Sequence, residues 1–110
     1  MTTLSPLNIV SASATLSHLD PAWVLTDPDT TSNGVDGRRV YEQNIYFEKP
    51  FSCPPVVKVS LAGFDISNAA NARLRVRALE VQSEGFVLEV ETWLNTIIWS
   101  VDVSWIAIGN

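Results

Sequence analysis

Few side chains in this sequence could take part in chemistry, and their types already narrow it. The chain has one histidine, His18, and one cysteine, Cys53. They lie far apart in sequence, and neither sits in a nucleophile motif of the G-x-S-x-G kind. A Cys–His dyad would need the fold to unite them, and a cysteine beside Pro54-Pro55 is expected to pack as a small hydrophobe. One Cys and one His also exclude an internal disulfide framework and a Cys/His zinc cluster within one chain. The glycine-rich loops that cradle phosphates are absent. Asp27, Asp29, Asn33 and Asp36 superficially suggest a calcium loop, but the spacing fails. An EF-hand alternates its acids, places Gly at its sixth position and ends on Glu, and here no Glu follows until Glu42. A loop that uses Asp and Asn for its turns is the plainer reading. No catalytic centre, metal or cofactor is expected.

What remains is recognition. A sugar needs a carboxylate to accept from its hydroxyls, a donor such as arginine, and an aromatic face for its C–H patches. Asp36, Arg73 and Trp93 supply those three types. The plain alternative is a solvated charge at Arg73 and a packed edge aromatic at Trp93.

The chain around these residues has 110 residues, a net charge of −5, 46% hydrophobic and 17% charged residues, and a pI near 4.6. That length is one domain, 1–110. The acidic balance lacks the electrostatic footprint of a nucleic-acid binder. A mean hydropathy of +0.15 with so little charge suggests surface covered by a partner. The first twenty residues carry neither the basic start nor the apolar centre of a signal peptide. No apolar run approaches the ~18 residues of a membrane span. A cytoplasmic protein is expected, any external role requiring release by a non-classical route.

Strand signals position the candidate residues. From Ile97 to Ala107 every odd position is apolar, while Ser100, Asp102 and Ser104 lie between, which predicts a central strand with Trp99 and Trp105 on its buried face. Ile98, Ile106 and Ile108 make the ends of the other face apolar too, as a neighbouring subunit would require. Val57, Val59 and Leu61 alternate with Lys58 and Ser60 in a second strand. Ile45 and Phe47 belong to a strand beginning near Arg38, and Asn8–Ala14 is a weaker one anchored by Ile9 and Leu16. Arg73 to Asn95 reads as a hairpin turning at Ser83-Glu84-Gly85, with Gly85 at a left-handed loop position. That turn pairs Val81 with Val87, Leu79 with Glu89, Arg77 with Glu91 and Arg75 with Trp93. Leu74, Val76 and Ala78 then meet Phe86, Leu88 and Val90 as core. Thr26–Gly37 and Asp65–Ala72 are loops. Six or so short strands predict an antiparallel β-sandwich.

Asn44–Phe47 (NIYF), Pro54–Val57 (PPVV), Leu61–Asp65 (LAGFD), Gly85-Phe86, Thr92–Thr96 (TWLNT) and Ser100–Ile108 (SVDVSWIAI) together resemble the H-type lectin family. This is the family of the snail agglutinins and of discoidin's C-terminal domain. The resemblance covers Gly34 to Gly109. It implies a six-stranded antiparallel β-sandwich that assembles as a trimer and binds terminal N-acetylgalactosamine or galactose between neighbouring subunits, without metal. Carried over by position, the acidic acceptor falls on Asp36, a loop backbone contact on Gly34, the arginine on Arg73 and the aromatic on Trp93. Leu94 stands where the snail type has a histidine, which removes one polar contact to the sugar. The cysteines of the secreted snail form are missing too, so a cross-linked hexamer is not expected. The expectation is therefore a glycan-binding homotrimer that is not an enzyme. A trimeric structural or tail module that has lost its sugar is the alternative.

Overall fold

The computed structural model describes residues 7–27 and 37–110. The described residues form six strands: β1 (Asn8–Ser17), β2 (Arg39–Tyr46), β3 (Val56–Ile66), β4 (Arg75–Leu79), β5 (Gly85–Thr92) and β6 (Ile98–Gly109). Two antiparallel sheets of three strands result, ordered β1-β6-β3 and β2-β5-β4. They face each other as the predicted sandwich. Each central strand is the one whose alternation is cleanest. On β6, Val101, Val103, Trp105 and Ala107 point into the core, and on β5, Phe86, Leu88 and Val90 do. Burying a side chain of this size contributes roughly 1.5–3 kcal/mol. Phe47, Phe51, Phe86 and Trp105 pack edge-on or tilted at ring separations of 5.1–6.0 Å. Trp23 enters from the β1–β2 connection and donates its indole N–H to the Ile98 carbonyl at 2.9 Å.

Several expectations need correction. Trp99 does not share the buried face. The β3–β6 register shifts between Asp65 and Ile66, so Ser100 pairs with Asp65 while Ile98 pairs with Ile66. That bulge re-phases the strand, as bulges do. Ile98 becomes fully buried, and Trp99, 42% exposed, meets the edge of the His18 ring at 5.5 Å. Ile9 is no anchor: it is 61% exposed at the outer end of β1, whereas Leu16 is core. Leu61 also lies open, at the side of the sandwich. Cys53 is exposed rather than packed.

The hairpin keeps its predicted faces but not its predicted pairs. Arg75 faces Glu91, Arg77 faces Glu89, and Leu79 faces Val87. The true register is displaced by two residues, and a shift of two returns every side chain to the same face. Gly85 has another task than the one expected of it. The left-handed residue near this turn is Glu80, with φ of 51°, while Gly85 already pairs with Tyr46 as the first residue of β5. A Cβ on Gly85 would stand 2.0 Å from the Ile45 carbonyl oxygen. Glycine is required there for the close approach of β2.

That distinction predicts opposite outcomes at two neighbouring positions. Gly85→Ala should cost about 3 kcal/mol, because backbone rather than a flexible side chain must yield. Glu80→Gly should stabilise the fold by about 1 kcal/mol through relief of the left-handed backbone. Urea unfolding of both variants checks the pair.

Candidate functional site

Continued two residues beyond its last paired rung, the β4–β5 register that sets Arg75 opposite Glu91 brings Arg73 opposite Trp93. These two candidate residues therefore flank the same end of the sheet. The Thr92 hydroxyl donates to the Arg73 carbonyl. The Arg73 guanidinium donates to Asn95 Oδ1 at 3.2 Å and Thr96 Oγ1 at 3.1 Å, and thus rests on the turn that follows Trp93. Thr96 is buried and passes its own proton to the Asn71 carbonyl. Arginine and tryptophan are held to one compact frame.

Trp93 is half-buried, and the Arg75 guanidinium lies over its ring, 5.1 Å from the centroid. Arg75 also donates to Glu91 at 3.0 Å. The outer face of this sheet carries a ladder in which Arg38 and Arg75 share Glu91 while Arg77 pairs with Glu89. Glu89 and Glu91 are only 5% and 3% exposed, although they point away from the core. The arginine side chains roof them. Contacts with Glu89, then Glu91, hold the Arg77 guanidinium pKa above its ordinary value. Arg38, Arg75, Glu91 and Trp93 line a depression of about 350 Å³.

One residue that the motif reading missed holds this end together. Arg39 is buried beside Arg38, on the opposite face as strand geometry requires. Its guanidinium donates to three carbonyls on three segments: Leu94 at 2.7 Å, Gly37 at 3.0 Å and Leu25 at 3.2 Å. Burial draws its pKa below the ordinary arginine value, opposed by Asp27 nearby. A sequence signal existed, since Arg39 falls in phase with Tyr41 and Ile45 on the core face of β2. Leu94, 40% exposed, takes a left-handed φ of 56°. The loop after Trp93 therefore turns sharply, with its carbonyl fixed by Arg39.

Of the candidate residues, Arg73, Trp93 and Leu94 are brought together at this end. Gly34 and Asp36 lie outside the described residues, although the adjoining Gly37 is anchored by Arg39. His18 and Cys53 are kept apart. His18 sits at the Ser17–Ser100 end of β6, and Cys53 sits beside Ser52, whose N–H meets the Asn110 carbonyl. No group of three or more potential metal-ligating side chains occurs among the described residues. No helix among them is long and apolar enough to cross a membrane.

The family model of the H-type lectin domain matches residues 42–108. The chain belongs to the H-type lectin domain family. Its fold is similar to that of discoidin II from Dictyostelium discoideum. The wild-type structure aligns with a TM-score of 0.70 and 18% identity over 93% of this chain and 37% of that one. The native recombinant structure gives 0.75 and 16% over 100% and 40%. A curated sequence, "ATP synthase subunits region ORF 7" of Fuscovulum blasticum, is 33% identical over 75 residues. That match spans 68% of this chain and 65% of the relative. This chain therefore covers less than two-thirds of each of these proteins.

Two predictions follow from the frame. Arg39→Met removes a donor from the Gly37, Leu25 and Leu94 carbonyls; Leu25 keeps the Ile98 N–H at 2.9 Å, and a buried carbonyl left unsatisfied, as at Gly37, costs about 1–3 kcal/mol. The substitution should lower the unfolding midpoint more than Arg38→Met, whose half-exposed side chain lies on the outer face. The second concerns Tyr41, which donates to Asp20 on the connection after β1. Burial, then the Asp20 hydrogen bond and charge, push the Tyr41 pKa up to about 12. The same bond and the Ala22 N–H hold Asp20 below its ordinary value. A raised phenol pKa favours the fold fully below the unfolded value near 10, and that benefit is lost as pH rises through 12. Asp20 contributes above the unfolded carboxylate pKa of about 4 and loses its contribution as pH falls below that. Denaturation from pH 9 to 12 should show a decline of about 2–3 kcal/mol that Tyr41→Phe removes.

Proposed function

We propose that this chain is a carbohydrate-binding lectin for terminal N-acetylgalactosamine or galactose, working as a homotrimer without metal. The observation that carries the reading is the shared frame of Arg73 and Trp93, with Arg39 tying the base of the Asp36 loop to the Leu94 turn. In this reading Trp93 offers an aromatic surface to the apolar face of the sugar and Arg73 donates to ring or hydroxyl oxygens. Asp36 accepts from two hydroxyls, and Gly34 contributes a backbone contact. The cleft lies between neighbouring subunits, which adds the partner's surface to a shallow site. Leu61, Phe64, Val56 and Ile9 are large apolar residues left open on the single chain, and a partner subunit that covered some of them would stabilise the assembly. A single site of this kind binds weakly, near millimolar or ~4 kcal/mol. Three on one assembly raise the effective concentration for clustered glycans.

Leu94 favours a second reading, a trimeric module that keeps the fold without sugar. A leucine there offers no polar contact. Leu94→His separates the readings, because histidine also accepts a left-handed backbone better than leucine. Under the lectin reading it should tighten binding of N-acetylgalactosamine by about tenfold, one hydrogen bond's worth. Under the other it should change nothing.

Asp36→Ala should abolish measurable galactoside binding, since two charge-assisted hydrogen bonds at about 1.5–3 kcal/mol each exceed the single-site affinity. Calorimetric titration with methyl N-acetylgalactosaminide reads it, and unchanged affinity would place the site elsewhere. Sedimentation of the unaltered protein should give a trimer, and a monomer at micromolar concentration would remove the intersubunit cleft.

A further inference from the structure

The end of the β2-β5-β4 sheet remote from Trp93 holds a second depression. Eight residue steps along β5 and its continuation separate Gly85 from Trp93, roughly 27 Å of extended chain. The depression has a volume of about 310 Å³, and its polar lining comes from Asn44, Tyr46, Glu80, Gln82 and Glu84, with Gly85 among them. No lysine or arginine lines it.

Three features set it apart from the depression beside Trp93. Tyr46 is 74% exposed and stands beside Gly85, which has no side chain to shield it. None of the five polar side chains makes a hydrogen bond or ion pair with another described residue. At the other end of the same face every lining charge is already matched in the Arg–Glu ladder. Glu80 holds its place with a left-handed φ of 51°. A glycine there would be unstrained but would leave the rim without its carboxylate.

An exposed aromatic face with amides that both donate and accept is the equipment for a pyranose ring and its hydroxyls. Two carboxylates with no cation in the lining repel an acidic sugar and attract an ammonium, and an aromatic face adds to that attraction. We propose that this depression is a second saccharide site, specific for a pyranose that carries a free amino group. The ammonium is held by Glu80 and Glu84, the ring lies against Tyr46, and Asn44 and Gln82 read the hydroxyls. The site is complete within one chain and independent of the Trp93 end.

The test uses the full chain at low salt with glucosamine, N-acetylglucosamine and N-acetylneuraminic acid as probes. Calorimetry measures affinity, and amide resonances of Gln82, Glu84 and Gly85 report location. Glucosamine is expected to shift those amides and to bind at least about tenfold more tightly than N-acetylglucosamine, whose amine is blocked and uncharged. N-acetylneuraminic acid is expected to leave them unmoved. Tyr46→Ala, at an exposed position that the fold does not depend on, should weaken glucosamine binding by about tenfold. Glu80→Gln with Glu84→Gln should erase the preference for the amine. Glucosamine that leaves the three amides unmoved overturns the proposal. So does equal binding of the acetylated sugar, or unchanged binding by Tyr46→Ala. N-acetylgalactosamine is followed separately at the Trp93 indole, so failure at one end is distinguishable from failure at the other.

Discussion

A buried guanidinium with three carbonyl partners organises one end of this molecule. Taking a cation out of water is costly unless its donors are met. Arg39 meets that cost with three carbonyls, one each from the Leu25, Gly37 and Leu94 segments, and with the charge of Asp27 nearby. Those segments belong to the β1–β2 connection, the start of β2 and the β5–β6 turn, so the bond set unites both sheets at one end of the sandwich. Sequence-distant loops that would otherwise drift independently are referred to a single planar group. The fork geometry of arginine matters here, because an ammonium could not address three carbonyls in fixed directions.

Its neighbour Arg38 shows how strand alternation divides labour. Two adjacent arginines point to opposite faces, one inward to the loop carbonyls and one outward to the Glu89 and Glu91 ladder. The ladder sets Arg75 against the Trp93 ring, so both arginines of the dipeptide act on the same end by different routes. The β1-β6-β3 sheet, by contrast, contributes packing and presents a Ser-rich outer face. The β2-β5-β4 sheet carries the Arg–Glu ladder on its outer face, while both sheets close the core.

Much of the architecture was legible because alternation reports which face a residue takes. The core faces of β5 and β6, and the hairpin that joins Arg73 to Trp93, follow from it directly. Register was not legible to the same degree. Alternation is blind to a shift of two, so it allows Arg77 opposite Glu91 as readily as opposite Glu89, its partner in the sheet. The bulge at Trp99 was invisible for a related reason. Ile97, Ile98 and Trp99 are all apolar, so hydrophobicity there fits either phase, and only pairing with Asp65 and Ile66 selects one. Gly85 was legible as a required glycine but not for its reason, since close approach by β2 is a tertiary fact. Motif reading chose Arg73 and Trp93 by type, and overlooked Arg39 because a buried arginine breaks the expectation that charge lies outside.

Under the proposed lectin reading, the Trp93 end receives a galactose-type sugar. The chain has four tryptophans, and their surroundings differ: Trp23 and Trp105 are core, Trp99 meets His18 edge to face, and Trp93 flanks Arg73. Recording the four indole N–H resonances during titration with methyl N-acetylgalactosaminide addresses each environment at once. The account predicts that the Trp93 resonance moves progressively to saturation while the other three stay fixed. A titration in which Trp93 does not move, or in which Trp99 moves in its place, would contradict it.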